Sequence, residues 1–367
     1  MEKKIRVCIL CGGKSGEHEV SLQSAKNIIE AIDRDKYEVV LIGIDKNGGW
    51  SFHNPDNFLV YPDDPGRIAL NNSREKLAVI PGESHDLSVT LAGAQAVGRV
   101  DVVFPVLHGP FGEDGTVQGL LKLADMPFVG AGVLGSAAGM DKDVMKRLLR
   151  DANLPIGRFF VIHRSHSIEK TFDKIRDELG LPIFVKPANL GSSVGVNKVY
   201  DRHQFEMACR EAFQFDHKII VEEFIRGKEI ECSVLGNLEP IAAVCGEVVP
   251  QHDFYSYEAK YIDENGAVLK IPADLPDNVA QEVQRLAIKT FQTVCCEGLA
   301  RVDFFVKENN EIIVNEINTI PGFTRISMYP RLWEASGISY GELIDRLIQL
   351  ALARSDADKE LHTSFEI

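Results

Sequence analysis

The 367-residue sequence predicts a doubly wound parallel α/β domain followed by two antiparallel α+β units. Three observations carry that expectation. Apolar strand-like runs alternate with helix-period segments through the first third, as in a parallel sheet with crossover helices. After "GMDKDVMKRLLRDANLP" the strands read as antiparallel. No fixed-period repeat runs through the chain.

Taken in order, "IRVCIL" is a buried first strand, and "SLQSAKNIIEAI" sets Leu22, Ala25, Ile28, Ile29 and Ile32 on one helical face. "YEVVLIGID" and "VDVVFPVLH" are further buried strands, followed by a helix and the short apolar "MPFVG". In such sheets ligands gather beyond the carboxyl ends of the strands, where "GGKSGEHEVS" and "HGPFGEDG" fall. Residues 47–99 break the alternation with polar, Pro-rich text and are expected to be an insertion. The second unit holds strands "IFVKPA", "GVNKVY" and "KIIVEEF", with a helix over about 203–215. The third holds "EIECSVLG", "IAAVCGEVV", a helix near 276–295, a hairpin over 299–323 and a last helix, "YGELIDRLIQLALAR". The expected domains are therefore 1–140, 141–221 and 222–367.

An excess of 54 acidic over 40 basic residues gives a net charge of −14, which disfavours general nucleic-acid binding. The N-terminal apolar run is about six residues and leads into a Gly-rich turn, so it is read as a strand and not as a signal peptide. No window is apolar for long enough to span a bilayer, and a cytoplasmic protein is expected. Seven cysteines do not form a disulfide framework. Cys8 and Cys11 have C-x-x-C spacing, but residues three apart on a strand face opposite ways, so both are expected in the core.

The stretch "LARVDFFVKENNEIIVNEINTIPGF" carries the chemistry. If Asn309 and Asn310 form a two-residue turn, Asp303 faces Glu316 and Arg301 faces Asn318. Opposed carboxylates repel unless something positive lies between them. A solvated outer face would carry such charges without purpose, but Asp, Glu and Asn oxygens together suit Mg²⁺ held with substrate phosphates. The hairpin therefore suggests a nucleotide enzyme.

In "VKPANLGSSVGV", Gly191 and Gly195 permit conformations that aim N–H groups at an anion, Ser192 and Ser193 add hydroxyls, and Lys186 adds charge. A mobile hairpin loop is the plainer reading of a Gly/Ser turn. The G-x-x-x-x-G-K-[ST] phosphate loop is absent, so any phosphate grip has another architecture.

Eight segments in order, "GGKSGEHEVS", "HGPFGEDGTVQG", "MDKDVMKRLL", "FVKPANLGSSVGV", "VEEFIRGKEIE", "FYSYEAKY", "GLARVDFF" and "NEINTIPGF", closely resemble the D-alanine–D-alanine ligase family of the ATP-grasp superfamily. The resemblance spans residues 5–353. It implies the three-domain ATP-grasp architecture, with ATP between the central and C-terminal domains. Lys142 and Lys186 would meet its phosphates under the loop of Gly191, Ser192 and Ser193, with Lys260 nearby. Glu222 and Glu229 would bind the adenine amine and the ribose. Asp303, Glu316 and Asn318 match the ligands of two Mg²⁺ ions, for which Mn²⁺ can substitute. Arg301 and the N–H of Gly322 would stabilise an oxyanion. Glu17, hydrogen-bonded with Ser192 and Tyr261, would hold the first D-alanine near His108. Ser327 and Met328 would hold the carboxylate of the second. The lid "HDFYSYEAKYID", with Lys260 and Tyr261, resembles the dipeptide-forming type. A homodimer and a place in peptidoglycan synthesis are also implied.

Other readings differ at named features. Another carboxylate–amine ligase would share the ATP residues and depart at Glu17, Tyr261 and Ser327. A dinucleotide-binding oxidoreductase fails because "LCGGKSG" lacks the G-x-G-x-x-G spacing. A non-catalytic nucleotide-binding module has no need of Arg301 beside a metal cluster.

Overall fold

The computed structural model describes residues 3–73, 76–78, 89–90, 98–192, 194–250 and 267–362. Its first sheet has the order β3-β2-β1-β8. Here β1 (Ile5–Gly12) lies parallel to both β2 (Tyr37–Ile44) and β8 (Val102–Val106), as the alternation of strands and helices predicts. Helix α1 (His18–Ala31) covers one face with Leu22, Ala25, Ile28 and Ile29, and α2 (Thr116–Leu123) covers the other with Val117 and Leu121. Cys11 packs with the first of these cores and Cys8 with the second, on opposite sides of β1. The expected "MPFVG" strand shrinks to one parallel bridge between Val103 and Phe128. Pro127 offers no N–H to a ladder, and Gly130, at φ +99°, turns the chain away.

Described residues of the polar insertion form short strands. β3 (Trp50–His53) adds an antiparallel edge to β2, β4 (Leu59–Val60) pairs with β5 (Ala69–Leu70), and β6 (Leu77–Ala78) pairs with β7 (Val89–Thr90).

The next two sheets are antiparallel throughout. The smaller has the order β11-β10-β12-β9, from β9 (Phe159–His163), β10 (Ile183–Pro187), β11 (Asn197–Val199) and β12 (Lys218–Glu223). Helices α5 (Ile168–Leu179) and α6 (Arg202–Ala212) close its core. The larger runs β15-β14-β13-β16-β17, from β13 (Lys228–Gly236), β14 (Ile241–Pro250), β15 (Ala267–Lys270), β16 (Gly298–Val306) and β17 (Ile312–Asn318).

Helix α3 (Val133–Met140) leads into α4 (Lys142–Asp151), whose Met145 and Leu149 share a core with Val283 and Phe291 of α7 (Asp277–Thr293) under the larger sheet. Two helices follow the hairpin, α8 (Met328–Ala335) and α9 (Tyr340–Lys359). Leu343, Ile344, Leu347 and Ile348 of α9 lie in the same core as Val7, Ile9 and Leu22, so the last helix packs back onto the first sheet. The 221/222 edge expected from sequence falls inside β12, which runs to Glu223.

Candidate active site

A cleft of about 1160 Å³ opens where the three sheets meet. At one corner, the turn after β1 aims Glu17. Gly12 and Gly13 both have left-handed φ, and a Cβ at Gly12 would lie 2.2 Å from the Ile44 carbonyl oxygen. Ser15 Oγ donates to the His108 carbonyl at 2.6 Å and accepts the Glu17 N–H at 3.2 Å. Glu17 itself starts α1 without a side-chain cap. Its Oε2 sits so close to Gly109 that a Cβ there would be 2.7 Å away, and a Cβ at Gly191 would make ordinary contact with it at 3.8 Å. The N-terminal carboxylate thus lies against the Gly/Ser loop of the second sheet. Within that loop the left-handed residues are Ser192 (φ 54°) and Gly195 (φ 68°), not Gly191 as expected.

His108 is buried. Its Nδ1 donates to the Ile320 carbonyl at 2.9 Å, and its Nε2 lies 3.3 Å from Ser24 Oγ. Burial lowers its pKa although Glu17 pulls the other way, so the ring is neutral at pH 7. The residue is a connector as much as a wall of the cleft.

The second wall is basic. Asp141 caps α4 by accepting the N–H groups of Asp143 and Val144, which sets Lys142 at the helix start. Lys142 Nζ donates to the Leu190 carbonyl at 2.7 Å and lies 3.7 Å from Glu316 Oε2. Burial lowers its pKa, and Glu316 opposes that shift. Lys186, on β10, pairs with Glu222 Oε2, while Lys146 Nζ lies 2.6 Å from Glu222 Oε1. Burial would raise the Glu222 pKa, but the two ammonium groups hold it down to about 2. Lys186 keeps its charge for the matching reason, since Glu222 and Glu316 outweigh burial. Glu229 lines the cleft one strand further on.

The third wall is the hairpin of β16 and β17. Asp303 pairs with Glu316, and Arg301 with Asn318, as the sequence register predicts. The turn is not the expected two-residue one. Lys307 and Glu311 close a three-residue loop with Asn310 left-handed at φ 65°, which moves the pairing near the turn by one. A bulge at Asn315, between the Asp303–Glu316 and Phe304–Val314 pairs, moves it back. The two offsets cancel before the functional residues.

Across β13, β16 and β17, Glu231, Asp303 and Glu316 stand in one row. Arg301 neutralises the first two: its Nε lies 2.9 Å from Glu231 and 2.7 Å from Asp303 Oδ1, and its Nη2 donates to Asp303 Oδ2 at 2.8 Å. Burial works against the guanidinium charge, but Asp303 and Glu231 raise its pKa well above the ordinary value. Asn318 Nδ2 donates to Asp303 Oδ2 at 3.0 Å. Among the described residues no three His, Cys, Asp or Glu side chains gather as a metal cluster. The converging donors are two carboxylates and one amide, hard oxygens that fit a Mg²⁺ shared with phosphates.

Beyond β17 the chain passes Gly322, where a Cβ would lie 3.1 Å from Ser327 Oγ. Ser327 holds Thr324 through Oγ1 at 2.7 Å and precedes Met328 at the start of α8. Ser193 of the Gly/Ser loop, and the expected lid with its Lys260 and Tyr261, lie outside the described residues. Sequence reasoning missed Lys146, Glu231 and Glu113. Lys146 stands four residues after Lys142, hence on the same helical face, and Glu231 stands two after Glu229 on a strand, which are signals that could have found them.

A parallel α/β domain followed by two antiparallel α+β units that frame a cleft, lysines on one wall and carboxylates on the other, defines an ATP-grasp enzyme. Family models described as D-ala D-ala ligase N-terminus and C-terminus match residues 6–131 and 148–349. The chain belongs to the D-alanine–D-alanine ligase family. It is 55% identical to the D-alanine–D-alanine ligase of Oceanobacillus iheyensis over 98% of this chain and 99% of that one. Among solved structures, the D-alanine–D-alanine ligase of Coxiella burnetii superposes with a TM-score of 0.84 at 38% identity, covering 97% of this chain and 96% of that one. The Bacillus anthracis D-alanine–D-alanine ligase complexed with ATP superposes with a TM-score of 0.71 at 25% identity, covering 96% and 99%.

Proposed function

We propose that the enzyme joins two D-alanine molecules into D-alanyl-D-alanine, with ATP converted to ADP and phosphate. Family membership at full length supports the reaction. The observation that carries the site assignment is the meeting of Glu17, the Lys142 and Lys186 wall and the Arg301, Asp303, Glu316 and Asn318 row in one cleft.

In this reading Glu17 holds the ammonium of the first D-alanine, with Ser192 and Tyr261 beside it and His108 shaping the subsite. The carboxylate of that substrate attacks the γ-phosphorus of ATP, giving an acyl phosphate and ADP. Lys142 and Lys186 neutralise the charge spread over the transferring group, as the backbone of Gly191, Ser192 and Ser193 closes over it. Glu222 accepts from the adenine amine and Glu229 from the ribose. Asp303, Glu316 and Asn318 would hold two Mg²⁺ ions, or Mn²⁺ in their place, and the bound metal would supply further charge neutralisation on the phosphates. The amine of the second D-alanine, held by its carboxylate at Ser327 and Met328, attacks the acyl carbon, and phosphate leaves. Arg301 and the Gly322 N–H stabilise the tetrahedral oxyanion. Lys260 and Tyr261 belong to the lid that excludes water.

We place the domain edges near residue 140 and just past the end of β12 at Glu223, and assign the chain to the cytoplasm, as a homodimer supplying peptidoglycan precursors. Phosphate release from ATP and Mg²⁺ with D-alanine, with L-alanine and with D-lactate plus D-alanine tests the function, the products being identified by mass. D-alanyl-D-alanine formed from the D-isomer alone is the expected result. Phosphate release without dipeptide would overturn the substrate assignment.

A further inference from the structure

Among the described residues three buried lysines enter the cleft, and the reaction as derived uses two of them. Lys146 is the third. It stands one turn after Lys142 on α4, is 2% exposed, and places Nζ 2.6 Å from Glu222 Oε1. The other oxygen of the same carboxylate, Oε2, belongs to Lys186. Glu222 is itself 7% exposed, so both ammonium groups and the carboxylate share a region largely closed to water. A buried charge left without a partner is strongly destabilising, whereas one that keeps a partner is tolerated.

The two pairs have different futures when a nucleotide enters. Lys186 has to turn to the phosphates and leave Oε2. If it were the sole counter-ion, its departure would strip Glu222, which would then take up a proton or hold Lys186 back. With Lys146 on Oε1, the carboxylate stays ionised and oriented, and Oε2 becomes a charged acceptor facing the cleft. Its flanks suit a planar base. In register, Glu222 pairs with Phe184 on one side and Phe159 on the other, and Phe184 lines the cleft. The Lys146 ammonium lies 6.0 Å from the centre of the Phe159 ring.

We propose that Lys146 is a positioning residue for base recognition, holding Glu222 as a fixed, charged acceptor that selects a purine bearing a 6-amino group. The inference rests on the reading of Glu222 as the base acceptor. A 6-oxo purine would point an oxygen at this carboxylate, and an unsubstituted purine would leave it without a donor. Both are disfavoured by the same side chain.

The test compares the binding of ATP, inosine triphosphate and purine riboside triphosphate, by calorimetry, to the wild-type chain and to Lys146→Gln, Lys146→Met and Lys146→Arg. A hydrogen bond to a charged acceptor predicts that the wild type prefers ATP over purine riboside triphosphate by on the order of tenfold or more. In Lys146→Gln the ratio falls to within roughly threefold, and Lys146→Arg regains most of it. The KM for D-alanine at saturating ATP stays within about twofold, which general damage to the fold would not allow. Lys146→Met keeps the aliphatic stem and replaces the Gln variant if that one does not fold. An unchanged ratio in the Gln or Met variant overturns the role of Lys146. A wild type that does not distinguish the two nucleotides overturns instead the base assignment of Glu222.

Discussion

Glu113 accepts the N–H of Ile320, 207 residues further along the chain, at 2.9 Å. Its other oxygen accepts the Gly109 N–H at 2.7 Å, and His108 takes the Ile320 carbonyl. Both backbone polar groups of a single residue are therefore held by one loop of the first domain. Gly322, two residues beyond, inherits its position from this clamp.

Replacing Glu113 by Gln sets an amide N–H₂ against one of these N–H donors and is expected to cost about 1–3 kcal/mol of stability. The cost depends on pH. Burial first, and Glu17 second, push the Glu113 carboxyl from its ordinary 4.5 up to about 8. Between those values the native state keeps a proton that the unfolded chain has released, so its contribution to stability falls as pH rises and is gone above about 8. Melting curves at pH 6 and pH 9 should show the wild type's advantage over Glu113→Gln narrowing at the higher pH. An equal gap at both would refute the assignment.

Lys142→Met keeps the apolar stem and removes the ammonium between Leu190 and Glu316. The variant should fold, since the removed charge was buried at a cost. Its kcat/KM for ATP should fall by roughly 10²–10³-fold, the scale of losing one preorganised charge at a reacting phosphate. A loss below about fivefold in steady-state assays would remove Lys142 from the phosphate site.

Arg301→Lys tests geometry at constant charge. The guanidinium fork reaches both oxygens of Asp303 and also Glu231, which a single ammonium cannot do. A fall in kcat of about 100-fold with little change in either KM is expected, as for a contact strengthened in the transition state. An effect on KM alone would mean that Arg301 binds the ground state.

Chelation with excess EDTA should stop phosphate release, and added Mg²⁺ should restore it. Glu316→Gln removes one of the hard oxygen charges facing Asp303. Titration of Mn²⁺ by its paramagnetic signal, in the presence of a non-hydrolysable ATP analogue, should then show affinity reduced by roughly 10- to 100-fold. Equal Mn²⁺ binding in both proteins would exclude Glu316 as a ligand.

How far the sequence could be read differs between the hairpin and its surroundings. Asp303 and Glu316 were legible as partners because strand alternation and register follow from a turn and a period of two. The path to that register was not legible. A left-handed Asn310 and a bulge at Asn315 are each local choices among nearly equal conformations, and they compensate. Lys142 and Lys186 were visible through their motifs, but the service of Lys146 to Glu222 depends on how α4 sits against β12, a tertiary relation without a sequence period. Glu113 lay inside a quoted motif, yet nothing local announces that its partner is Ile320. Residues 47–99 read only as an insertion because the strands among their described residues are two to four residues long, too short for alternation to register.

Helix α9 brings Leu343, Ile344, Leu347 and Ile348 into the same core as Val7, Ile9 and Leu22. A chain emerging from the ribosome makes the sheet that begins at Ile5 long before it makes the helix that shields it. Until the roughly 230 residues between Val106 and Tyr340 have been added, α1 alone shields that side of the sheet, and the apolar surface that α9 later covers stays in contact with water. The first domain is thus the earliest to be synthesised and among the last to be finished, and a nascent chain stalled before Tyr340 should be a ready client for holdase chaperones.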